Sequence, residues 1–341
     1  MKLFAYTIKP LSAFGTPLKG DTLFGHFCWQ AKHDPALLKL DLDACIKRYN
    51  EKPFVIFSSA LIKLKNGQTP WAAPRPTLPA HYLFTDNDSR LKRVLVAKEN
   101  KIKKWILIGS DLWLRITDEN LLPESTLAEM VFSKKNGNEE NRTLKVNASR
   151  THNTINRCTN TTGSGMFAPY ESDFIAYRPG LSLALLVLLD ENVTDADRVG
   201  KALERIGKVG YGRDASTGLG RFTVTEAQSL SPPEWGSAKA LYTLGPAVFD
   251  KDRFSEVFSQ PFIRFGRHGD YLAHSRNPFK NPVIMADDAA VCVASEPLDG
   301  FPGYVGRAVS GISKTMPTAV AQGYSLCLPI TLPDLLTRSL S

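Results

Sequence analysis

Hydrophobic and polar positions alternate from the first residues. Lys2 to Ile8 reads as a strand, with Leu3 and Ala5 among its alternating positions, and it breaks at Pro10 and the loop Ser12 to Pro17. Lys19-Gly20-Asp21-Thr22 predicts a helix start with Asp21 or Thr22 as N-cap. Leu23, Phe24, Phe27, Cys28 and Ala31 then recur at helical spacing and give one apolar face. Phe54 to Leu64, β-branched and apolar, predicts a second strand. From about 65 to 165 the pattern loosens into Pro70, Pro74, Pro76 and Pro79, basic tracts, and Asn/Thr/Gly clusters. A hundred such residues inside a compact domain read as a functional insertion rather than a loop.

Order returns at Leu181 to Leu189, a buried-strand run. Asp195 to Lys208 follows as a helix with Val199, Leu203 and Ile206 on one face, and Arg221 to Thr225 as a strand. With the insertion set aside, the order is strand, helix, strand, strand, helix, strand. That is the ferredoxin-like order, shared by RNA-recognition-motif domains. Ser229 to Glu234, with Pro232-Pro233, reads as a linker. Beyond it, 240–249, 261–265, 283–285, 289–294 and 324–330 predict mostly short strands. The expected class is α+β with tandem ferredoxin-like (RRM-like) domains. The first spans 1–228 and carries the insertion at about 65–165. The second, 237–341, is smaller and β-rich.

Composition narrows the function classes. Of 341 residues, 43% are hydrophobic, so a sizeable core is expected. Leu181 to Leu189, the longest apolar stretch, is too short to span a bilayer, and no signal-peptide pattern precedes Lys9 and Pro10, so the expectation is a cytoplasmic protein with no membrane partner. Five scattered cysteines without a Cys-x-x-Cys pair argue against a disulfide framework or a zinc site and read as small buried hydrophobes. The net charge is +8. Residues 1–157 hold 25 basic and 15 acidic side chains, whereas 158–341 hold 17 and 19. A positive excess confined to one half of the chain suits a polyanion partner.

The most specific segment is Gly207 to Phe222, where five glycines mix with Arg213, Ser216, Thr217 and Arg221. Its backbone N–H groups suit a phosphate chain. Dinucleotide or Walker-type binding is not expected, because here a helix precedes the loop and a strand follows it, and no Gly-Lys-Ser/Thr ending is present. A second segment, Arg150-Thr151-His152-Asn153-Thr154-Ile155-Asn156-Arg157, lacks apolar anchors and reads as a ligand-facing polar loop, with Arg for phosphate and Asn for base edges or 2′-hydroxyls. Lys19 at a helix start offers an anion site, with ordinary capping an equal alternative. Arg90-Leu91-Lys92-Arg93, Lys98, Lys101 and Lys103-Lys104-Trp105 have a backbone-tracking composition. Catalytic signals are thin. His26 reads as a packed or capping histidine, His33-Asp34 lacks the further ligands of a metal phosphohydrolase, and the 163–165 Gly-Ser-Gly has no strand–turn–helix context. No catalytic residue, metal site or cofactor is expected.

Three motifs together carry a resemblance: Phe14-Gly15-Thr16-Pro17-Leu18-Lys19-Gly20-Asp21-Thr22-Leu23-Phe24-Gly25-His26, then His152-Asn153-x-Ile155-Asn156-Arg157, then Gly210 to Gly220. In order and spacing they resemble the CRISPR RAMP superfamily, and within it the fourth-subunit family of the type III-A (Csm) effector complex. The resemblance covers the first two-thirds of the chain and implies two ferredoxin-like domains. It implies a noncatalytic subunit that grips the 5′ repeat-derived handle of the crRNA. Such a subunit docks a large polymerase-like subunit and a backbone RAMP subunit, and meets target RNA only indirectly. On that resemblance, Lys19 and His26 lie near RNA, Arg150, His152, Asn153 and Arg157 line a central RNA-facing segment, and Arg213, Ser216, Thr217 and Arg221 cradle the handle backbone. The basic stretch 90–104 is then a thumb-like insertion. Other RAMP proteins are guide-processing endoribonucleases with a histidine general acid or base, so His152 or His26 cutting repeat RNA is the alternative. An RNA-binding protein outside CRISPR systems is the third.

Overall fold

The central strand of the fold is apolar throughout because it has no solvent face. All seven residues of β10 (Leu183–Leu189) are buried in a computed structural model that describes residues 1–79, 83, 100–132, 143–225, 227–236, 238–250 and 253–332. β1 (Lys2–Pro10) pairs antiparallel with β10 on one side, and on the other with β11 (Phe222–Val224) and β12 (Gln228–Leu230). The far edge of β10 takes β2 (Val55–Phe57) and β3 (Leu61–Lys63).

The predicted strand from Phe54 to Leu64 is therefore two, because Ser59 and Ala60 turn their N–H groups away from β10, to Leu244 O and Leu18 O. Ser58 Oγ accepts from the Leu186 N–H at 2.9 Å, and the Ser59 N–H donates to Leu244 O at 2.7 Å. The predicted linker also starts later than expected, since Ser229 and Leu230 pair with Phe4 and Leu3.

Two helices pack against each other beside this sheet: α1 (Gly20–His33), and α4 (Ala196–Val209), which is capped by the Asp195 carboxylate. Between them in the chain lie α2 (Leu42–Lys47) and α3 (Glu124–Phe132). α1 begins at Gly20 with Lys19 as N-cap, earlier than Asp21 or Thr22. The Asp21 carboxylate is taken by Arg264, and a Cβ on residue 20 would sit 2.0 Å from Phe57 O, so only glycine passes there.

Residues 65–165 hold more regular structure than their pattern predicts. β4 (Trp71–Pro74), β5 (Lys103–Ile108) and β7 (Leu121–Pro123) extend the first sheet from β3. These strands are short and half-buried, which blurs alternation. A second sheet centres on β13 (Ala240–Thr243), between β17 (Val291–Ala294) and β19 (Tyr324–Thr331). β14 (Phe254–Phe258), β18 (Tyr304–Gly306) and β6 (Leu114–Arg115) complete it, the last in parallel with β19. Two separate ribbons stand apart: β8 (Lys145–His152) with β9 (Tyr170–Tyr177), and β15 (Pro261–Arg264) with β16 (Val283–Ala286). The whole is mixed α+β and mostly sheet.

One apolar cluster runs through both sheets. At their junction the Gln322 amide accepts from the Phe57 N–H and donates to Phe57 O, and the Tyr324 hydroxyl donates to Asn50 O. The reading of all five cysteines as buried needs correction. Cys45, Cys292 and Cys327 are buried, Cys28 is half-buried, and Cys158 is exposed in a polar turn; all five are free. Among the described residues no helix is long and apolar enough to cross a membrane.

Candidate nucleic-acid interface

The glycine-rich segment is a closed structure rather than a slack connection. α4 ends at Val209, and the chain reverses through positive φ at Gly210, Gly212, Asp214, Gly218 and Gly220. The Tyr211 N–H donates to Gly220 O at 3.0 Å, and the Gly220 N–H to Ala13 O at 2.7 Å. Tyr211 is buried beneath this closure. Its hydroxyl donates to Pro17 O at 2.9 Å and accepts from the Lys19 N–H at 3.0 Å. The loop is thus fastened to the Phe14–Lys19 segment, more than 190 residues away in the chain. Gly15 belongs to the same contact, since a Cβ there would lie 2.6 Å from Arg213 O.

Most loop amides are consumed by this architecture, which narrows the expectation that they cradle phosphate. The Gly212 N–H donates to His26 Nε2 at 3.1 Å and the Arg213 N–H to Thr16 Oγ1 at 3.0 Å. Thr217, Gly218 and Leu219 donate to Asp214 O or Ala215 O. Among the described residues, the amides of Asp214, Ala215 and Ser216 have no protein acceptor, and they lie together at the loop tip.

Beside the tip is an open groove of about 560 Å³. The glycine loop gives it Arg213, the Phe14–Pro17 segment gives it Gly15, and the β8–β9 ribbon gives it Asn147, Ser149 and Asp173. Reciprocal hydrogen bonds between Phe14 and Ile175, at 2.8 and 2.9 Å, hold the ribbon to the first segment. Ser172 Oγ donates to the Asp214 carboxylate at 3.0 Å and holds it to the loop. The Arg213 guanidinium bonds Asp173 O and remains about half exposed. The groove therefore offers a cation, hydroxyls and amides without a deep cavity, a donor set suited to a phosphodiester chain.

The other expected site residues scatter around this groove. Arg150 and His152 lie in β8, so the supposed polar loop is half strand; both ribbon faces are largely exposed, and no apolar alternation reveals it. Arg150 sits 5.7 Å from the Phe174 ring centroid, and His152 stacks on Tyr170 at 5.2 Å and 13°. Asn153 and Arg157 are exposed in the turn beyond, which the Asn156–Thr161 bridge closes. Ser216 and Thr217 are exposed at the glycine-loop tip, with Thr217 Oγ1 donating to Asp214 O. Arg221 donates through its guanidinium to Lys208 O near the end of α4, at 3.2 and 3.1 Å.

Lys19 and His26 face inward. Lys19 Nζ bonds Asp287, and Asp288 at 2.9 Å, while its side chain is only 12% exposed. Burial pulls its pKa down, but the two carboxylates outweigh that and hold it above its ordinary value. Burial holds Asp288 above the usual carboxylate range against the pull of Lys19. Of the basic tract, Arg90, Lys92, Arg93 and Lys98 lie outside the described residues. Lys103 and Lys104 belong to β5, with Lys103 on Asp118 at 3.0 Å. Thr16, Asn147, Ser149, Ser172 and Asp214 were not singled out from sequence. Thr16 and Asp214 lay inside quoted motifs; the ribbon residues have no local signature.

His26 gives the first testable consequence. Burial lowers its pKa to about 4, and its Nε2 is occupied as acceptor from Gly212. The unfolded chain binds this proton near pH 6.5 and the folded chain only near 4. Stability is thus full above about 6.5, falls by about 1.4 kcal/mol per pH unit below it, and levels off below about 4. Urea denaturation of His26→Gln is expected to be flatter over that window than that of the native chain. Equal slopes would remove His26 as the titrating group.

No family model matches the chain, and no curated protein does. Solved structures do match. A chain of the Csm3-Csm4 subcomplex in the type III-A CRISPR-Cas interference complex superposes with a TM-score of 0.57 at 14% identity, covering 97% of this chain and all of that one. Chains of the Csm1-Csm4 cassette match over 98% of this chain and 100% of theirs. With bound cA4 the TM-score is 0.55 at 13% identity, and with bound pppApA it is 0.53 at 14%. At these identities the likeness is one of fold: over nearly its whole length this chain is built like chains of the type III-A Csm3-Csm4 subcomplex and the Csm1-Csm4 cassette.

Proposed function

We propose that this chain is a noncatalytic RNA-binding subunit of a type III-A CRISPR effector (Csm) complex, gripping the 5′ repeat-derived handle of the crRNA. One observation carries the reading. The Phe14–Pro17 segment, the strand entering the Arg150–Arg157 motif, and the glycine loop are distant in sequence, yet they meet at one open groove with Arg213 beside it. The likeness to chains of the Csm3-Csm4 and Csm1-Csm4 assemblies supports docking of this chain on a large polymerase-like subunit and a backbone subunit.

We read the fold as two ferredoxin-like units, 1–228 with its insertion and 237–341. The order β11/β12, β1, β10, β2/β3, with α1 and α4 in the connections, supports this for the first unit. The noncatalytic reading is supported by both histidines. His26 Nε2 already accepts a backbone N–H in a buried setting, and the His152 ring is stacked on Tyr170. Among the described residues no group of three His, Cys, Asp or Glu side chains is placed to hold a metal.

Binding of handle RNA to the reconstituted complex tests the reading. Arg213→Ala and Arg157→Ala are each expected to weaken binding and lower the salt slope by about one. Unchanged affinity and slope would overturn the phosphate-contact assignment. Cleavage of repeat RNA that disappears in His152→Ala would replace the noncatalytic reading with the nuclease.

A further inference from the structure

The half of the chain without a positive excess carries a second unusual surface. β15, β16 and their connection, residues 261–286, turn one face inward through Met285 and Val283 and leave the other bare. On the bare side Ile263 and Ile284 stand opposite each other in register. Phe265 is 73% exposed, Phe279 69% and Tyr271 62%. Five large apolar side chains exposed on one 26-residue segment call for an occupant.

Charge and ring chemistry select that occupant. This segment holds four basic side chains against one acidic, whereas the rest of 237–341 holds six against eight. Arg264 is bound to Asp21 and Lys280 is half-buried, but Arg267 and Arg276 are exposed. The Arg267 guanidinium lies 5.6 Å from the Phe279 ring centroid, and Arg276 has no protein partner among the described residues. Exposed aromatic rings interleaved with arginines are the composition of a surface on which bases stack while the cations follow the backbone.

Resting on the RNA-binding reading above, we infer that the 261–286 ribbon is a stacking platform for single-stranded RNA, continuous with the groove at Arg213. The continuity runs through α1. Asp21 of that helix holds Arg264 of the ribbon, Trp29 meets Tyr271 edge-on at 5.6 Å, and His33 bonds Asp270. His26 of the same helix supports the glycine loop. A 14-residue helix is roughly 21 Å long, so the points where ribbon and glycine loop attach to α1 lie within one helix length. The platform reads unpaired bases without regard to sequence, because every base offers a ring face.

The test uses the full chain, a fluorescein-labelled 20-nucleotide oligouridine and an RNA duplex of the same length. The Phe265→Ala/Phe279→Ala double variant is expected to weaken single-strand binding at least tenfold and duplex binding less than twofold. Its melting temperature should not move, because both side chains are exposed. Arg276→Ala is expected to lower the salt slope by about one. Unchanged single-strand affinity in the double variant, while Arg213→Ala still weakens binding, overturns the platform and leaves the groove standing. The converse, an inert Arg213→Ala with an impaired double variant, upholds the platform and removes the groove. Intact RNA affinity with lost assembly onto another subunit makes the face a protein surface and overturns the inference.

Discussion

Gly220→Ala is expected to destabilise the protein by more than 3 kcal/mol and to reduce RNA binding at least a hundredfold at the temperature where the native chain is folded. Two separate costs act at this position. The residue has φ of +73°, where a side chain is strained by about 1 kcal/mol or more. An added Cβ would also lie 2.1 Å from Tyr211 O and 2.5 Å from Tyr211 N, both backbone atoms that have nowhere to go. Relieving that overlap pulls Tyr211 away from Pro17 O and opens the closure that holds Arg213 at the groove. Gly218→Ala isolates the first cost. Its φ is +96°, but nothing lies within 4 Å of its Cβ position, so a loss of about 1–2 kcal/mol is expected. Urea denaturation of the two variants decides the matter, and equal losses would refute the crowding argument.

The second large effect belongs to the ion pair beneath the loop. Asp21, 3% exposed in its side chain, binds the Arg264 guanidinium through both oxygens at 2.5 and 3.0 Å. Arg264 lies 4.7 Å from the Phe262 ring centroid, and the Asp21 carboxylate holds its pKa above the usual value despite burial. Asp21→Ala leaves that guanidinium buried without its hydrogen-bonded counter-charge, at an expected cost of about 3–5 kcal/mol. Removing both charges together, as Asp21→Leu with Arg264→Met, is expected to recover most of the loss, because two well-packed apolar side chains need no desolvation of a charge. A double variant as unstable as the single one would mean that the pair is needed for geometry rather than neutrality.

The parts of this fold legible in the chain were those with strong periodicity. β1, β10 and α4 match their expected spans within about two residues, since a fully buried strand and a one-faced helix each leave an unmistakable pattern. Residues 65–165 were opaque for the opposite reason. The strands β4 to β7 are two to six residues long, β8 is exposed and shows no apolar alternation, and β6 pairs across to β19 more than 200 positions away. The glycine loop was visible as composition, but its hydrogen bonding was not. From the residues alone its amides read as free for phosphate, whereas acceptors on Ile206, Gly220, His26, Thr16, Ala13, Asp214 and Ala215 leave three of them at the tip. Lys19 read as an anion site at a helix start, and it is neutralised by Asp287 and Asp288, which lie 268 and 269 positions further on.

The amino-acid order alone thus determined the kinds of element, the polyanion-facing composition of the first half, and the three motifs, because periodicity, charge and glycine spacing are local properties. Tertiary structure decided which of the charged and polar side chains reach solvent. That depends on partners such as Asp21 with Arg264, Lys19 with Asp288, and Gly212 with His26, each of which is distant in the chain and adjacent only after the sheets and helices have packed.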